Sequence, residues 1–367
     1  MTPPSRTVAA PPVEPTGGRR PGLRALLRRA VLSEYLVLFL IVAYVLALLP
    51  FTDNMLSGRN IENVLSNYWP LLVVTVGQTF VLIIAGIDLS QTAIMAMANT
   101  VGALVVTTAL DPDLFERSVL WGWFLGPDGS PVSGSAVAVP LAWLVIVVVG
   151  ALIGLVNGLA VSRVGMPPFM VTLATLLFFS SAAIWLTRSE NVTRLPESYL
   201  AVGTGTTLGF VPNALLIAVT LTVAAHLVLG RTTFGRWLYA VGANAQAALV
   251  SGVPVRRVVT LAYVLSGVFA AVGAVLYSTR LESGRPTLGS SLLLDVIGAA
   301  VIGGVSLFGG KGRVVGAAIG VLFFVVLANG LNLLQLPFYT VLWVKGAVIA
   351  AAALLDVVRN RRLEGRT

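Results

Sequence analysis

Residues 138–162 read AVPLAWLVIVVVGALIGLVNGLAVS, a run without a single Asp, Glu, Lys, Arg or His. At 1.5 Å per residue a helix of this length reaches about 38 Å, more than the roughly 30 Å hydrocarbon core of a bilayer. The stretch is too long and too uniformly apolar for a surface helix, so it reads as a membrane crossing. Outward from it, nine further apolar stretches occupy about 31–50, 65–86, 90–110, 168–187, 212–230, 257–279, 290–308, 314–334 and 338–357. With 57% hydrophobic residues and a mean hydropathy of +0.91, the chain leaves little from which to build a soluble core. The expected fold is an all-α polytopic membrane protein of about ten transmembrane helices, filling a domain from 31 to 357.

Charge sets the expected orientation. If the first stretch runs outward, the cytoplasmic segments hold Arg6, Arg19, Arg20, Arg24, Arg28, Arg29, Arg163, Arg231, Arg236, Arg256, Arg257, Lys311, Arg313, Arg359, Arg361, Arg362 and Arg366, 17 of the 24 basic residues. The opposite face carries most of the acids, among them Asp53, Glu62, Asp111, Asp113, Glu116, Asp128, Glu190, Glu197 and Glu282. The positive-inside rule then places both termini in the cytoplasm of a multi-pass cell-membrane protein. Residues 1–30 read as a disordered basic arm and 358–367 as a basic tail, both suited to anionic lipid head groups. The net charge of +9 follows from this asymmetry. The cations are spread over loops and tails without a folded platform, which argues against nucleic-acid binding.

Little in the sequence supports enzyme chemistry. The chain has no cysteine and one histidine, His226, deep in the sixth stretch, which reads as a packed or hydrogen-bonded structural side chain. The glycine-rich run from Gly303 to Gly312 fails as a phosphate loop. Val305 stands at the first-glycine position relative to Gly310-Lys311, and Gly312 replaces the magnesium-holding Ser or Thr. A machine that consumes ATP must therefore bind it on another subunit, and neither cofactor nor metal is expected on this chain. The spacings Gly150-xxx-Gly154-xxx-Gly158 and Gly312-xxx-Gly316-xxx-Gly320 put small residues on single helical faces, which lets backbones approach closely. Asn157-Gly158-Leu159 with Pro168-Phe169, and Asn329-Gly330-Leu331 with Pro337-Phe338, recur at opposite ends of their spans, as an inverted repeat would place them.

Two ionisable residues lie within the spans of the second half, Asp295 and Lys345. Both sit at a depth of roughly 8–10 Å from the external side, where an unpaired charge is costly. They are expected to pair with one another. Asp88 reads as the cap of a helix turn. The loop at about 231–256 contains Gly242, then Asn244, which can cap a short helix over Ala245–Val250 bearing Ala247 and Ala248; Ser251, Gly252 and Pro254 follow and end it. Such a helix suits docking in a groove of a partner.

Four motifs in this order, Gly86-Ile87-Asp88-Leu89-Ser90, the Gly242-Ala243-Asn244 loop with Ala247-Ala248 and Ser251-Gly252, Leu294 to Ala299, and Ile302 to Gly312 with Gly309-Gly310-Lys311, resemble the permease subunits of ribose-type ABC sugar importers. The resemblance covers roughly residues 35–357. It implies a homodimeric permease, a cytoplasmic ABC ATP-binding subunit that holds ATP and magnesium, and an external binding protein that delivers a monosaccharide. It also implies that the loop after the sixth span carries the helix that seats in the ATPase. A neutral sugar calls for hydrogen-bonding groups along its path, and Gln78, Asn99 and Asn329 are candidates by polarity and position. Family members often have glycine at position 85 and Val-Gly at 91–92, where this chain has Ala85 and Gln91-Thr92. The external segment from Asp111 to Val137 is longer than the family norm, and its Trp121, Trp123 and Phe124 suit interface anchoring. Two alternatives are a branched-chain amino-acid ABC permease and an ion-coupled secondary transporter using Asp295, Lys345 and His226.

Overall fold

The computed structural model describes residues 36–364, and the arm at 1–30 lies outside them. Apart from a two-residue pairing of β1 (Thr206–Thr207) with β2 (Val211–Pro212), the architecture is helical. In chain order the helices are α1 (Leu36–Leu48), α2 (Gly58–Ile83), α3 (Gln91–Val106), the short α4 (Pro112–Phe115), α5 (Ala138–Leu159, continued as a π turn to Val164), α6 (Pro168–Thr187), α7 (Glu197–Thr204) and α8 (Asn213–Arg231). There follow α9 (Thr233–Ala243), α10 (Ala245–Val250), α11 (Val255–Arg280), α12 (Leu293–Ile302), α13 (Val314–Leu333) and α14 (Phe338–Glu364).

Among the described residues, six helices are long and apolar enough to cross a membrane: α2, α5 with its π turn, α6, α8, α11 and α13. The protein is thus polytopic by length and composition. The eighth apolar stretch, expected over 290–308, is helical only from Leu293 to Ile302, about 15 Å. Gly303 and Gly304, the latter with φ of +85°, turn the chain away, so this stretch is not one continuous crossing helix. Conversely, α2 starts two turns before its apolar stretch. Ser57 accepts from the Asn60 N–H at 3.3 Å and caps a polar segment that hydropathy alone passes over. Helix α14 runs to Glu364, into the expected tail, because no helix breaker intervenes before Gly365.

The centre of the bundle is built from α2, α11 and α13, whose apolar residues are mostly buried, whereas α5, α6 and α8 leave Leu152, Phe178 and Leu227 exposed as lipid-facing helices do. Helices α5 and α11 meet backbone to backbone. A Cβ at Gly150 would stand 2.4 Å from the Gly267 carbonyl oxygen, and one at Gly154 2.3 Å from that of Tyr263. Gly316 and Gly320 of α13 meet the Gly303 and Ala299 carbonyls at the end of α12 in the same manner. Small residues replace the hydrophobic driving force that lipid removes.

The packing maps onto itself. Helix α3 packs on α5, α6 and α11, and α12 packs on α13, α14 and α2; α5 lies along α11 as α13 lies along α2. Helices α2 and α11 are both 26 residues long and pack on each other.

Candidate functional site

At one end of the bundle three chain segments converge. The first is the short helix α10. Asn244, extended at φ −162° and ψ 104°, accepts from the Ala247 N–H at 2.9 Å through Oδ1. Gly252, with φ of +83°, closes the helix: its N–H donates to Leu249 O and that of Val253 to Ala248 O, both at 3.0 Å. Between these caps Ala245, Gln246, Ala247, Leu249 and Val250 are exposed, Val250 by 88%, while Ala248 is 5% exposed and packs into its own bundle. Of the residues marked for docking, Asn244 and Gly252 therefore shape the helix, Ala248 anchors it, and Ala247 and Ser251 lie on its surface. The apolar tip formed by Leu249 and Val250 is what the helix offers outward.

The second segment is the glycine-rich loop. Phe308 to Lys311 turn through Gly309 (φ +81°) and Gly310 (φ +69°), and the Ser306 N–H donates to Lys311 O at 3.1 Å. Two successive left-handed residues are the conformation for which glycine is suited. Asp356 on α14 accepts from Ser306 Oγ at 3.1 Å and from the Leu307 N–H at 3.3 Å. Tyr239 Oη on α9 donates to Gly312 O at 2.7 Å. Burial pushes the Tyr239 phenol above its ordinary value against the opposing effect of Arg313, so it stays a neutral donor.

The third segment is the turn between α2 and α3. The Ile83 carbonyl, one of the acceptors left over at the end of α2, takes the Gly310 N–H at 2.8 Å. Ala85 follows in the left-handed region at φ +59°, where the family pattern favours glycine. Gly86 lies so close to Tyr263 that a Cβ there would stand 2.8 Å from its hydroxyl. Asp88 is fully buried. Its Oδ1 accepts from the Ser90 N–H at 3.0 Å and from Ser90 Oγ at 2.6 Å, which caps the turn, and its Oδ2 accepts from Ser266 Oγ of α11 at 2.7 Å. Asn157 Nδ2 of α5 donates to Ser90 Oγ at 2.7 Å, and Gln91 Nε2 donates to Ser266 Oγ at 2.9 Å. Gln78, its amide oriented to satisfy both ends, donates to Asp88 O at 3.2 Å and to Gln91 Oε1 at 3.0 Å, and accepts from the Asp88 N–H at 3.2 Å. A single buried network thus ties α2, α3, α5 and α11 together.

The other two path candidates are also engaged within the chain. Asn329 exchanges two amide bonds with Asn60, at 3.0 and 2.8 Å, and Asn99 Nδ2 donates to Arg285 O at 2.8 Å. Lys345 Nζ lies 2.7 Å from Asp295 Oδ2, joining α14 to α12 with side chains only 14% and 10% exposed. His226 is exposed on α8, a correction to the expectation of a packed or hydrogen-bonded structural side chain. In the segment from Asp111 to Val137, Trp121 and Phe124 pack on the core and Trp123 is 83% exposed, so one ring of the three is free to anchor.

The family described as the permease component of branched-chain amino acid transport systems matches residues 60–353. The chain belongs to this family. Among curated relatives, the ribose import permease protein RbsC of Bacillus subtilis strain 168 is 36% identical over 327 residues, 89% of this chain and 92% of the relative. The protein of the same name in Escherichia coli K12 is 32% identical over 328 residues, 88% of this chain and 92% of the relative. The xylose transport system permease protein XylH of Escherichia coli K12 is 29% identical over 413 aligned positions, 95% of this chain and 96% of the relative. No solved structure matches. The matched permease region contains the three converging segments, the Asp88 network and the Asp295–Lys345 pair. Reading the sequence did not single out Ser266, Asn60, Tyr239 or Asp356. The side chain of each has a partner remote in the chain, so no local pattern marked the contact.

Proposed function

We infer that this chain is the membrane-spanning permease subunit of an ATP-driven ABC importer that translocates a monosaccharide. The observation that carries the reading is near full-length similarity to ribose and xylose permeases, coupled with an exposed, doubly capped helix at α10. The chain translocates and does not catalyse. Nucleotide and magnesium belong to an ATP-binding subunit seated on Leu249 and Val250, and an external binding protein delivers the sugar. A pentose is the favoured substrate class, as the printed names of the relatives suggest. A second copy of the chain completes the path along the subunit interface. With Asp88, Gln78 and Asn329 engaged in intrachain bonds, they hold the moving helices in register, and groups at the interface contact the sugar. The charge asymmetry supports cytoplasmic termini, and six long apolar helices with four shorter ones, of which α12 has only ten residues, support ten membrane-inserted segments. The self-mapping packing supports an inverted repeat of α2, α3, α5 and α6 with α11, α12, α13 and α14, whose rocking alternates access.

The experiment is purification of the tagged chain in mild detergent with identification of what accompanies it, then uptake of labelled ribose, xylose and leucine by vesicles holding the assembled complex. A co-purifying ATPase and ATP-dependent pentose uptake support the reading. Leucine uptake alone would replace the substrate class with that in the family description. A chain without ATPase that transports on its own would overturn it.

A further inference from the structure

Gly242, in the loop expected to meet the ATPase, is half-buried and faces its own chain. A Cβ there would stand 1.8 Å from the Ile83 carbonyl oxygen and 2.6 Å from the Gly310 nitrogen. The atoms it crowds are the acceptor and donor of the 2.8 Å bond between the end of α2 and the glycine-rich loop. On the other side, a Cβ at Gly309 would meet the Ala85 nitrogen at 2.8 Å and the Gly242 carbonyl oxygen at 2.9 Å. Three backbones therefore touch at one point, with only the Ala85 methyl beside them. One turn before Gly242, Tyr239 Oη fastens the same helix to Gly312 O at 2.7 Å. Two residues after it, Asn244 opens α10.

We propose that this junction of Ile83, Gly242 and Gly309–Gly310, clamped by Tyr239, is the rigid joint through which movement of α10 enters the transmembrane bundle. The proposal rests on α10 being the ATPase contact and goes beyond it by assigning Tyr239, Gly242 and Gly310 as positioning residues. The argument is mechanical. Side chains in contact slide and change rotamer, whereas glycine backbones locked by hydrogen bonds at van der Waals distance have no such compliance. A displacement of α10 must carry the glycine loop with it. From that loop the motion divides, passing along α13, which begins immediately after it, and into the α2–α3 turn, whose Asp88 holds Ser266 of α11. The glycine-rich run that fails as a phosphate loop thus has a physical reason for its composition.

The test is hydrogen–deuterium exchange on the complete transporter with its ATPase, with and without ATP plus vanadate, so that no transported sugar need be known. In the wild type both 244–251 and 303–312 are expected to change their exchange on trapping. Tyr239→Phe removes one hydroxyl and leaves the ring, so the response of 244–251 should persist while that of 303–312 falls roughly fivefold, the scale of one lost hydrogen bond. Gly242→Ala should abolish the second response if it folds. Because the readout is the difference between nucleotide states, a uniformly loosened structure does not mimic the result. If 244–251 responds and 303–312 does not in the wild type, or if Tyr239→Phe leaves both responses intact, the joint is refuted while the ATPase contact stands. If 244–251 itself is indifferent to trapping, the coupling reading fails and the joint with it.

Discussion

Removing one member of the Asp295–Lys345 pair is expected to destabilise the permease more than removing both. The two groups stand 2.7 Å apart with exposures of 10% and 14%, between α12 and α14, so both are largely desolvated and neither can regain water without moving a helix. Exposed pairs contribute about 0–1 kcal/mol, whereas breaking a buried pair costs about 3–5 kcal/mol, because the surviving charge is left without compensation. The residual exposure places this pair toward the lower part of the buried range, about 3–4 kcal/mol for Asp295→Asn or Lys345→Met alone. For a chain of 367 residues, with an unfolding entropy of about 2 cal/mol/K per residue, that corresponds to a melting shift of about 4–5 °C. The double variant replaces the pair with a neutral amide and an apolar side chain of similar length, and should recover at least half of the loss. Intrinsic tryptophan fluorescence of the detergent-purified protein during heating, scored by recovery of the monodisperse peak, measures all four forms. Additive losses in the double variant would show that the two residues act separately and would refute the pairing argument.

Gly154→Ala and Gly230→Ala should move stability in opposite directions. The first drives a Cβ to 2.3 Å from the Tyr263 carbonyl and costs about 1–3 kcal/mol, while the second adds a methyl on exposed α8 with nothing within 4 Å and gains about 0.5–1 kcal/mol. Ala85→Gly should stabilise by about 0.5 kcal/mol, the relief of a left-handed alanine less the added chain entropy, read as a small rise in melting temperature. Val250→Glu should release the ATPase during co-purification while leaving the permease melt unchanged, since that side chain is 88% exposed. Ala248→Arg, at 5% exposure, should lower the melt itself, as a buried charge does.

How far the sequence carried the fold depends on the range of the interactions concerned. Apolar length marked every long helix, because lipid imposes its requirement residue by residue on a continuous segment. Local capping marked α10 to the residue: the hydrogen bonds made at Asn244 and at Gly252 each reach only three residues along the chain. The end of α12 was missed because hydropathy does not distinguish a helix from an apolar glycine turn, and Gly303-Gly304 sit inside an apolar run. The start of α2 was missed because its first turns are polar. The role of Gln78 and Asn329 was out of reach, because their partners Asp88, Gln91 and Asn60 are fixed by helix packing. The His226 reading failed because burial depends on which face of α8 turns inward, and apolar residues are spread too evenly around α8 to mark that face.

The arrangement of the polar groups also bears on where work enters the molecule. An ion-coupled carrier needs titratable groups that exchange partners along a connected route. Here the Asp295 carboxylate is engaged by Lys345, the Asp88 carboxylate receives three hydrogen bonds from Ser90 and Ser266, and His226 faces outward. Each group is committed to holding helices together or is turned away from the interior, and among the described residues no cluster of three acids or imidazoles could hold a metal ion. At one end of the bundle, by contrast, an exposed capped helix is tied by glycine backbones to α2 and to the start of α13. A chain that spends its buried charges on structure and its closest backbone contacts on one joint is organised to be moved by a partner, which is the division of labour that an ATP-driven permease requires.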